Sequence, residues 1–264
     1  MKQQFADAAS SYSEVAVLAR ETGERMAERL DYVKIAPQRV ADIGCATGDG
    51  IRELQRRYPS AQPLAIDFAL PMLAEVLQQS HTAAPHLLNA DVRALPLAAN
   101  SLDLIWSNLM LHWLDEPLPA LRELYRTLNV GGLLMFSILG PDTLKELRSA
   151  FAEAGVKAPL RSFYGMRNIG DMLVACGFSD PVMDRETLTL TYTAPRGLLR
   201  DQRHLGVRDA LLGQLGWRDW RRVFRAYSAH SVDNRLSAAF EIIYGHAWKL
   251  PPRKTGDAFI RFER

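Results

Sequence analysis

VADIGCATGDG, residues 40–50, is the stretch that decides the fold of this chain. A short apolar run that contains Asp42 is followed by a glycine-rich loop and then by a helical pattern. Small residues let the backbone turn sharply between a strand and a helix and let it approach a ligand closely. In an α/β sheet this position is the crevice at the carboxyl ends of the strands. The stretch therefore predicts a strand–loop–helix unit with a ligand site at its loop.

The same loop is a poor match for a dinucleotide site. Such a site would have glycine at positions 44, 46 and 49 and would place a diphosphate at the helix N-terminus. Of these positions only Gly44 is glycine, and Asp49 would repel a phosphate. Asp42 instead offers an anion to a cationic ligand, such as an ammonium or a sulfonium centre. A nicotinamide cofactor is therefore disfavoured.

Short apolar runs alternate with helical patterns on both sides of this unit. The strand patterns lie at residues 40–43, 63–67, 87–88, 102–106, 133–138, 186–193 and 240–248. This order predicts an α/β fold with a doubly wound, mostly parallel seven-stranded sheet. An N-terminal helical region precedes the sheet, and a helical insertion separates its last two strands.

The length of 264 residues suits one domain with one hydrophobic core. We divide it into an N-terminal helical lid (1–32), a cofactor-binding core (38–193), a basic helical insertion (194–230), and a final strand with a tail (238–264).

The charge of the chain is concentrated in the insertion. The whole chain has a net charge of +2, too small for it to bind nucleic acid or a membrane through its overall field. Residues 196–227 hold eight Arg and three Asp, so this stretch alone is +5. Cys45 and Cys176 have no metal-ligand spacing, and no apolar run reaches the length of a membrane span. We expect a cytoplasmic protein without a metal site.

Carboxylates end three successive strand patterns. Asp42 ends the first, and Asp67 ends the second, where a carboxylate can accept hydrogen bonds from both hydroxyls of a ribose. Asp91 follows the third and can accept a hydrogen bond from an adenine amino group. Each alone is typical of a turn or helix cap, but together with the glycine loop they favour an adenosyl ligand.

Over residues 40–138 the chain resembles the class I S-adenosylmethionine-dependent methyltransferases. The resemblance implies S-adenosyl-L-methionine as cofactor. It implies that Asp42, Gly44, Ala46 and Gly48 bind the methionine end, Asp67 the ribose, and Asp91 with Val92 the adenine. Ala46 departs from the family, which usually has glycine there, and alanine is tolerated if its φ is negative.

The segment Ser107–Trp113 follows the fourth strand pattern, so its polar groups, Asn108 among them, are expected to face the cofactor and its methyl group. His112 is a candidate general base or hydrogen-bond donor to the methyl acceptor, and a structural role is an equal alternative. Tyr12 could close over the site with Phe5, or it could be a surface tyrosine that packs one helix.

Helical spacing in the insertion predicts two faces. The aromatic face, with Trp217, Trp220, Phe224 and Tyr227, is expected to pack on the protein. The other face carries Arg218, Arg221, Arg222 and Arg225. It is either a solvated surface or a site for an acidic partner.

The chain is also similar, nearly end to end, to the malonyl-acyl-carrier-protein O-methyltransferases of biotin biosynthesis. This resemblance rests on several segments: Phe5 with Ala8, Ala9 and Tyr12, then residues 107–109, 121–126, 198–201 with Arg203, and 240–248. It implies methylation of the free carboxylate of a malonyl thioester. Arginine orients carboxylates by paired hydrogen bonds, so Arg200 and Arg203 are the candidates for this substrate, with Tyr12 covering them. The arginine face would then bind the acidic carrier protein, and we expect a monomer.

Three alternatives stay open at this point. One is a relative of the complex I assembly factor that hydroxylates an arginine with the same fold. Another is a protein that binds S-adenosylmethionine without transferring its methyl, and a third is a small-molecule O-methyltransferase. Nucleic-acid modification ranks lower, because the arginines lack a base-reading motif.

Overall fold

A computed structural model describes residues 2–79 and 84–251. Its strands are β1 (Arg39–Ile43), β2 (Gln62–Asp67), β3 (His86–Asn89), β4 (Leu102–Ser107), β5 (Leu128–Leu139), β6 (Ser179–Tyr192) and β7 (Leu236–Trp248). Its helices are α1 (Lys2–Val15), α2 (Val17–Leu30), α3 (Asp49–Arg57), α4 (Leu70–Gln78), α5 (Pro117–Thr127), α6 (Lys145–Glu153), α7 (Met166–Ala175), α8 (Pro195–His204), α9 (Arg208–Leu212) and α10 (Trp217–Ala229).

Within these residues the strands form one sheet in the order β3-β2-β1-β4-β5-β7-β6. β1 to β5 pair in parallel, and β7 runs antiparallel to both β5 and β6. Side chains of β1 alternate between the two faces of the sheet, with Val40 in one apolar cluster and Ala41 and Ile43 in the other. Helices α2, α3, α6 and α10 contribute to the first cluster, and α5 and α7 to the second. The predicted doubly wound, mostly parallel sheet is confirmed.

The N-terminal helical region is two helices that break at Ala16. α1 packs against α4 and α8, and α2 packs beside the sheet. Ion pairs tie α2 to β6: Arg25 pairs with Glu186, and Arg29 contacts Asp184 with 2.6 Å between Nη2 and Oδ2 and Glu186 with 3.8 Å between Nη2 and Oε1. The lid segment is thus anchored to the edge strand.

β5 begins earlier than the sequence predicts. The strand pattern was expected at residues 133–138, but the strand starts at Leu128 and runs through Gly131 and Gly132. Leu102 pairs with Leu128 and Leu104 with Leu133, so the residues between lie in an irregularity of the ladder. Gly131, at φ +85°, supplies the left-handed conformation that this irregularity requires.

Helices α8 to α10 lie between β6 and β7, as predicted. α10 packs on α6, where the rings of Phe151 and Trp220 meet edge to face at 5.6 Å. The hydroxyl of Tyr227 donates to the carbonyl of Ser237 at 2.7 Å. Among the described helices none has the length and apolar character to cross a membrane. The predicted tail beyond residue 251 lies outside the described part of the chain.

Candidate active site

A cavity of about 1100 Å³ lies beside the carboxyl ends of β1 to β4. This is the edge at which parallel α/β sheets bind ligands. Residues from α1, α8 and the segments after these strands line it. They include Phe5, Tyr12, Gly44, Ala46, Asp67, Asp91, Val92, Asn108, His112, Asp201 and Gln202.

The loop after β1 depends on glycine at position 44. Gly44 has φ +77°, and its amide donates to the carbonyl of Ile66 at 2.8 Å. A Cβ at this position would lie 2.4 Å from Cγ of Met110, so a side chain would displace the segment after β4. Gly48, at φ +92°, precedes α3 and is not among the described residues that line the cavity. Gly44 therefore meets the cavity directly, and Gly48 shapes the turn into the helix.

We expected alanine to be tolerated at position 46 if its φ were negative, and the structure differs from this expectation. Its φ is +44°, in the left-handed region that costs a residue with a Cβ about 1–2 kcal/mol. Its amide donates a hydrogen bond to Oδ2 of Asp67 at 3.1 Å. The backbone thus keeps the conformation of a glycine loop although the residue is alanine.

Asp42 lies behind the loop. Its side chain is buried with 2% of the residue exposed, and it accepts a hydrogen bond from the amide of Ile51 at the start of α3. It is not among the described residues that line the cavity, which differs from the direct ligand contact that we expected. Burial raises its pKa to about 8, and the nearby carboxylates of Asp67 and Asp49 act in the same direction. Asp42 can therefore act on a ligand mainly through its field and through the position of α3.

Asp67 ends β2 with its carboxylate at the cavity. Oδ1 accepts the amide of Ala69 at 2.8 Å, and Oδ2 accepts that of Ala46. Burial raises the pKa of this carboxyl. A carboxylate can accept about four hydrogen bonds, so Asp67 retains capacity for the hydroxyls of a ligand.

Asp91 and Val92 line the cavity after β3. Arg93 forms an ion pair with Asp91, with 2.6 Å between Nη2 and Oδ2, and this pair lowers the pKa of the carboxyl. Lys2, at the start of α1, also lowers it. Among the described residues, Lys2 and Arg93 are the lysine and arginine side chains that line the cavity, and both lie beside Asp91.

The side-chain amide of Asn108 is hydrogen-bonded on both sides. Nδ2 donates to the carbonyl of Ala19 in α2 at 2.7 Å, and Oδ1 accepts the hydroxyl of Ser137 in β5 at 2.7 Å. Asn108 lines the cavity, but its strongest contacts hold α2 against the ends of β4 and β5.

His112 has a neutral imidazole that accepts a hydrogen bond in this structure. The amide of Leu139 donates to Nδ1 at 3.4 Å, which places the imidazole proton on Nε2. Nε2 is buried and has no hydrogen-bond partner among the described residues. Burial lowers the pKa of His112 to about 3, and the positive charge of Arg161 acts in the same direction. With Nδ1 occupied and so low a pKa, the donor role fits His112 and the base role does not.

Tyr12 and Phe5 close α1 over the cavity. Tyr12 is half-buried, and burial together with the carboxylates of Asp67, Asp49 and Asp42 raises the pKa of its hydroxyl. The ring of Phe5 meets Phe68 at 5.8 Å. Both α1 side chains line the cavity, so Tyr12 is not a surface tyrosine.

Arg200 and Arg203 are not in the site, contrary to our expectation. Both are exposed, and neither is among the described residues that line the cavity. The reason is the orientation of α8, which buries Leu198 and Gln202 and turns the arginines to solvent. Leu198 and Gln202 are one helical turn apart, which was a usable signal in the sequence.

The residues of α8 that do meet the cavity were missed. Asp201 and Gln202 line it together with Tyr192 at the end of β6. The hydroxyl of Tyr192 is buried beside the carboxylate of Asp201 and makes no hydrogen bond of normal geometry among the described residues. The inner part of the cavity is therefore lined by neutral and acidic polar groups.

The arginine face of α10 is exposed as predicted. It consists of Arg218, Arg221, Arg222 and Arg225. Arg222 pairs with Asp219 at 2.6 Å. The opposite face packs through Trp220, Phe224 and Tyr227, whereas Trp217 is 58% exposed and lies 5.3 Å from the guanidinium of Arg196. Trp217 thus departs from the expected packing.

The fold and the site define a class I S-adenosylmethionine-dependent methyltransferase. A family model described as a methyltransferase domain matches residues 41–136. A phosphoethanolamine N-methyltransferase of Haemonchus contortus, solved with S-adenosyl-L-methionine, has the same fold. It aligns with a TM-score of 0.59 and 15% identity over 92% of this chain and 57% of that one.

More specifically, the chain belongs to the family of malonyl-[acyl-carrier protein] O-methyltransferases. It is 45% identical to the protein of that name from Gallionella capsiferriformans, over 99% of this chain and 94% of the relative. It is 43% identical to the one from Laribacter hongkongensis, over 97% of this chain and 92% of the relative. These relatives favour methyl transfer over the hydroxylase alternative.

Proposed function

We propose that this chain transfers the methyl group of S-adenosylmethionine to the free carboxylate of a malonyl thioester on an acyl carrier protein. The reaction masks the charge of the carboxylate so that the acyl group can enter chain elongation toward the pimeloyl part of biotin. The observation that supports the proposal is a cavity lined both by the strand-end carboxylates Asp67 and Asp91 and by the neutral polar side chains of Tyr12, His112 and Gln202.

We infer the orientation of the cofactor from the positions of the carboxylates. Asp67 receives the ribose hydroxyls, and Asp91 with Val92 receives the adenine. Gly44 and Ala46 lie against the methionine end, whose positive charges favour the ionised form of the Asp42 carboxyl. The cofactor supplies an activated methyl group on a sulfonium. The residues of this chain bind it, orient the acceptor and exclude water.

The acceptor needs no general base. A malonyl carboxylate is already ionised at pH 7, so its oxygen can attack the methyl carbon directly. The hydroxyl of Tyr12 is suited to orient that carboxylate, and His112 lines the same cavity with a neutral ring.

Neutral donors also suit the energetics of the reaction. The negative charge of the carboxylate disappears as the ester forms, so a paired arginine would stabilise the bound substrate more than the transition state. The positions of Lys2 and Arg93 beside Asp91 agree with this requirement.

The arginine face of α10 is the proposed docking surface for the carrier protein. Acyl carrier proteins are acidic, and a positive patch steers an acidic partner and sets its orientation. Arg218, Arg221 and Arg225 form no ion pair within the described residues, which leaves them for such a partner.

The decisive assay measures S-adenosylhomocysteine and the malonyl methyl ester by mass spectrometry. Purified protein is incubated with S-adenosylmethionine and either malonyl-carrier protein, malonyl-coenzyme A or acetyl-carrier protein. We expect product with the first and none with the acetyl thioester, which lacks a free carboxylate. Cofactor binding without any product would overturn the proposal in favour of a binding protein, and turnover of unrelated hydroxyl or amine acceptors would favour a small-molecule methyltransferase.

A further inference from the structure

Arg161 lies between α6 and α7, and its guanidinium holds the turn that carries His112. Nε donates to the carbonyl of His112 at 3.2 Å, and Nη2 donates to that of Trp113 at 3.1 Å. Nη2 also forms an ion pair with Asp115 at 2.8 Å. The arginine side chain is only 17% exposed. One planar side chain therefore supplies donors to consecutive acceptors of a single short turn.

The backbone of Arg161 connects the same residue to the insertion. Its amide donates to the carbonyl of Leu211 in α9 at 2.9 Å. Its carbonyl accepts Nη2 of Arg148 in α6 at 2.7 Å. Arg161 thus connects α6 and α9, which precede the arginine face in the chain, to the turn that carries His112.

The turn also borders a second cavity. This cavity has a volume of about 320 Å³ and is lined by His112, Phe163 and Arg161 among others. His112 therefore lines two cavities. A group that lies between two spaces needs directional bonds to keep its orientation.

We propose that Arg161 is a positioning residue, which fixes the turn that carries His112 beside the acceptor site and couples this turn to the insertion. The inference rests on the proposed function for its kinetic consequence, but not for the protonation state of the imidazole. Arg161 and Asp115 are charged groups at this turn, and the positive charge of Arg161 disfavours protonation of His112.

The kinetic test uses Arg161→Gln, Arg161→Lys and, as a matched control, Arg167→Gln at a 94%-exposed arginine of α7. Displacement of an orienting group by about 1 Å can lower a rate by roughly 100-fold, so we expect Arg161→Gln to lower kcat about 10- to 100-fold. The Kd for S-adenosylmethionine should change less than about threefold, because none of the cofactor-binding carboxylates contacts Arg161. Arg161→Lys should recover only part of kcat, since an ammonium lacks the planar fork.

A spectroscopic readout separates this role from a general loss of folding. In the wild type, the ¹⁵N shifts of the His112 imidazole should report a neutral ring with its proton on Nε2 from about pH 5 to pH 8. In Arg161→Gln the ring should show mixed tautomers or should protonate at a higher pH. Arg167→Gln should match the wild type in both measurements.

Three results would overturn the inference. The first is an unchanged kcat in Arg161→Gln, and the second is an unchanged imidazole spectrum in that variant. The third, which applies even if Arg161→Gln does not fold, is full wild-type turnover in Arg161→Lys, because charge alone would then suffice. If the wild type itself transfers no methyl group, the proposed function fails, and the imidazole spectra still test Arg161.

Discussion

The amide of Ala46 lies 3.1 Å from Oδ2 of Asp67 and donates a hydrogen bond to it, which joins the loop after β1 to the end of β2. The carboxylate that we propose for the ribose therefore also shapes the loop that we propose for the methionine end. Loss of Asp67 should weaken the cofactor site through both effects.

Asp67→Ala is expected to weaken S-adenosylmethionine binding roughly 10- to 100-fold. The variant removes charge-assisted hydrogen bonds to the ribose, each worth about 1.5–3 kcal/mol, and it leaves the amides of Ala46 and Ala69 without their acceptor. Calorimetric titration measures the affinity, and circular dichroism checks that the variant is folded. Unchanged affinity in a folded variant would show that the ribose lies elsewhere.

Ala46→Gly should stabilise the protein. Glycine relieves about 1–2 kcal/mol of left-handed strain at φ +44°, and it costs about 0.5–1 kcal/mol of chain entropy. We expect a rise in Tm of about 1–3 °C. Gly44→Ala provides the contrast, since its Cβ would lie 2.4 Å from Cγ of Met110, and it should lower Tm and cofactor affinity. A lower Tm for Ala46→Gly would show that the backbone of Ala46 is not strained.

Cofactor affinity should rise with pH up to about 8. Asp42 has a pKa of about 8 in the free protein, because burial disfavours its charged form. A cationic ligand favours the ionised carboxylate, so binding below this pH releases a proton, and affinity increases by at most about tenfold per pH unit. Calorimetry in buffers of different ionisation enthalpy measures the released protons. Asp42→Asn should abolish the release, and a wild type without proton release would refute the effect.

Charge reversal on α10 should weaken the interaction with the carrier protein selectively. We expect Arg221→Glu with Arg222→Glu to raise KM for malonyl-carrier protein about tenfold or more at low salt. Any turnover of malonyl-coenzyme A should stay unchanged, because neither arginine is among the described residues that line the cavity. Steady-state assays across a salt series measure the effect.

The matched control for this double variant is Arg167→Glu in α7, which packs with the other apolar cluster. It should leave KM near the wild-type value. Salt-insensitive KM in the wild type, or an equal effect of Arg167→Glu, would rule out α10 as the docking surface.

The local sequence pattern of apolar runs and helical segments was sufficient to predict the sheet. Each strand–helix unit repeats the order of residues 40–57, and short connections allow few topologies. The limits of β5 were not predictable from pattern, because Gly131 and Gly132 are typical of a turn, and the strand continues through them with backbone hydrogen bonds to Lys249, after β7. The cytoplasmic location and the monomeric state stay predictions.

The lining of the cavity was predictable where a residue follows directly from a strand end, as for Asp67 and Asp91. It was missed on α8, where we followed the charge of Arg200 and Arg203 and not the spacing of Leu198 and Gln202. The buried face of that helix is decided by Leu198 and by packing against α1, which long-range structure determines. The direction of the Asp42 side chain, toward α3, also depends on tertiary contacts.

The contact between α1 and α8 has a consequence for the order of events in a catalytic cycle. The hydroxyl of Ser11 donates to the carbonyl of His204 at 3.2 Å, and Gly206 lies against the carbonyl of Gln4. A carrier protein bound to the insertion would therefore hold α1 in place over the bound nucleoside. We expect compulsory-order kinetics, in which S-adenosylmethionine enters first, the methylated carrier departs next, and S-adenosylhomocysteine leaves last.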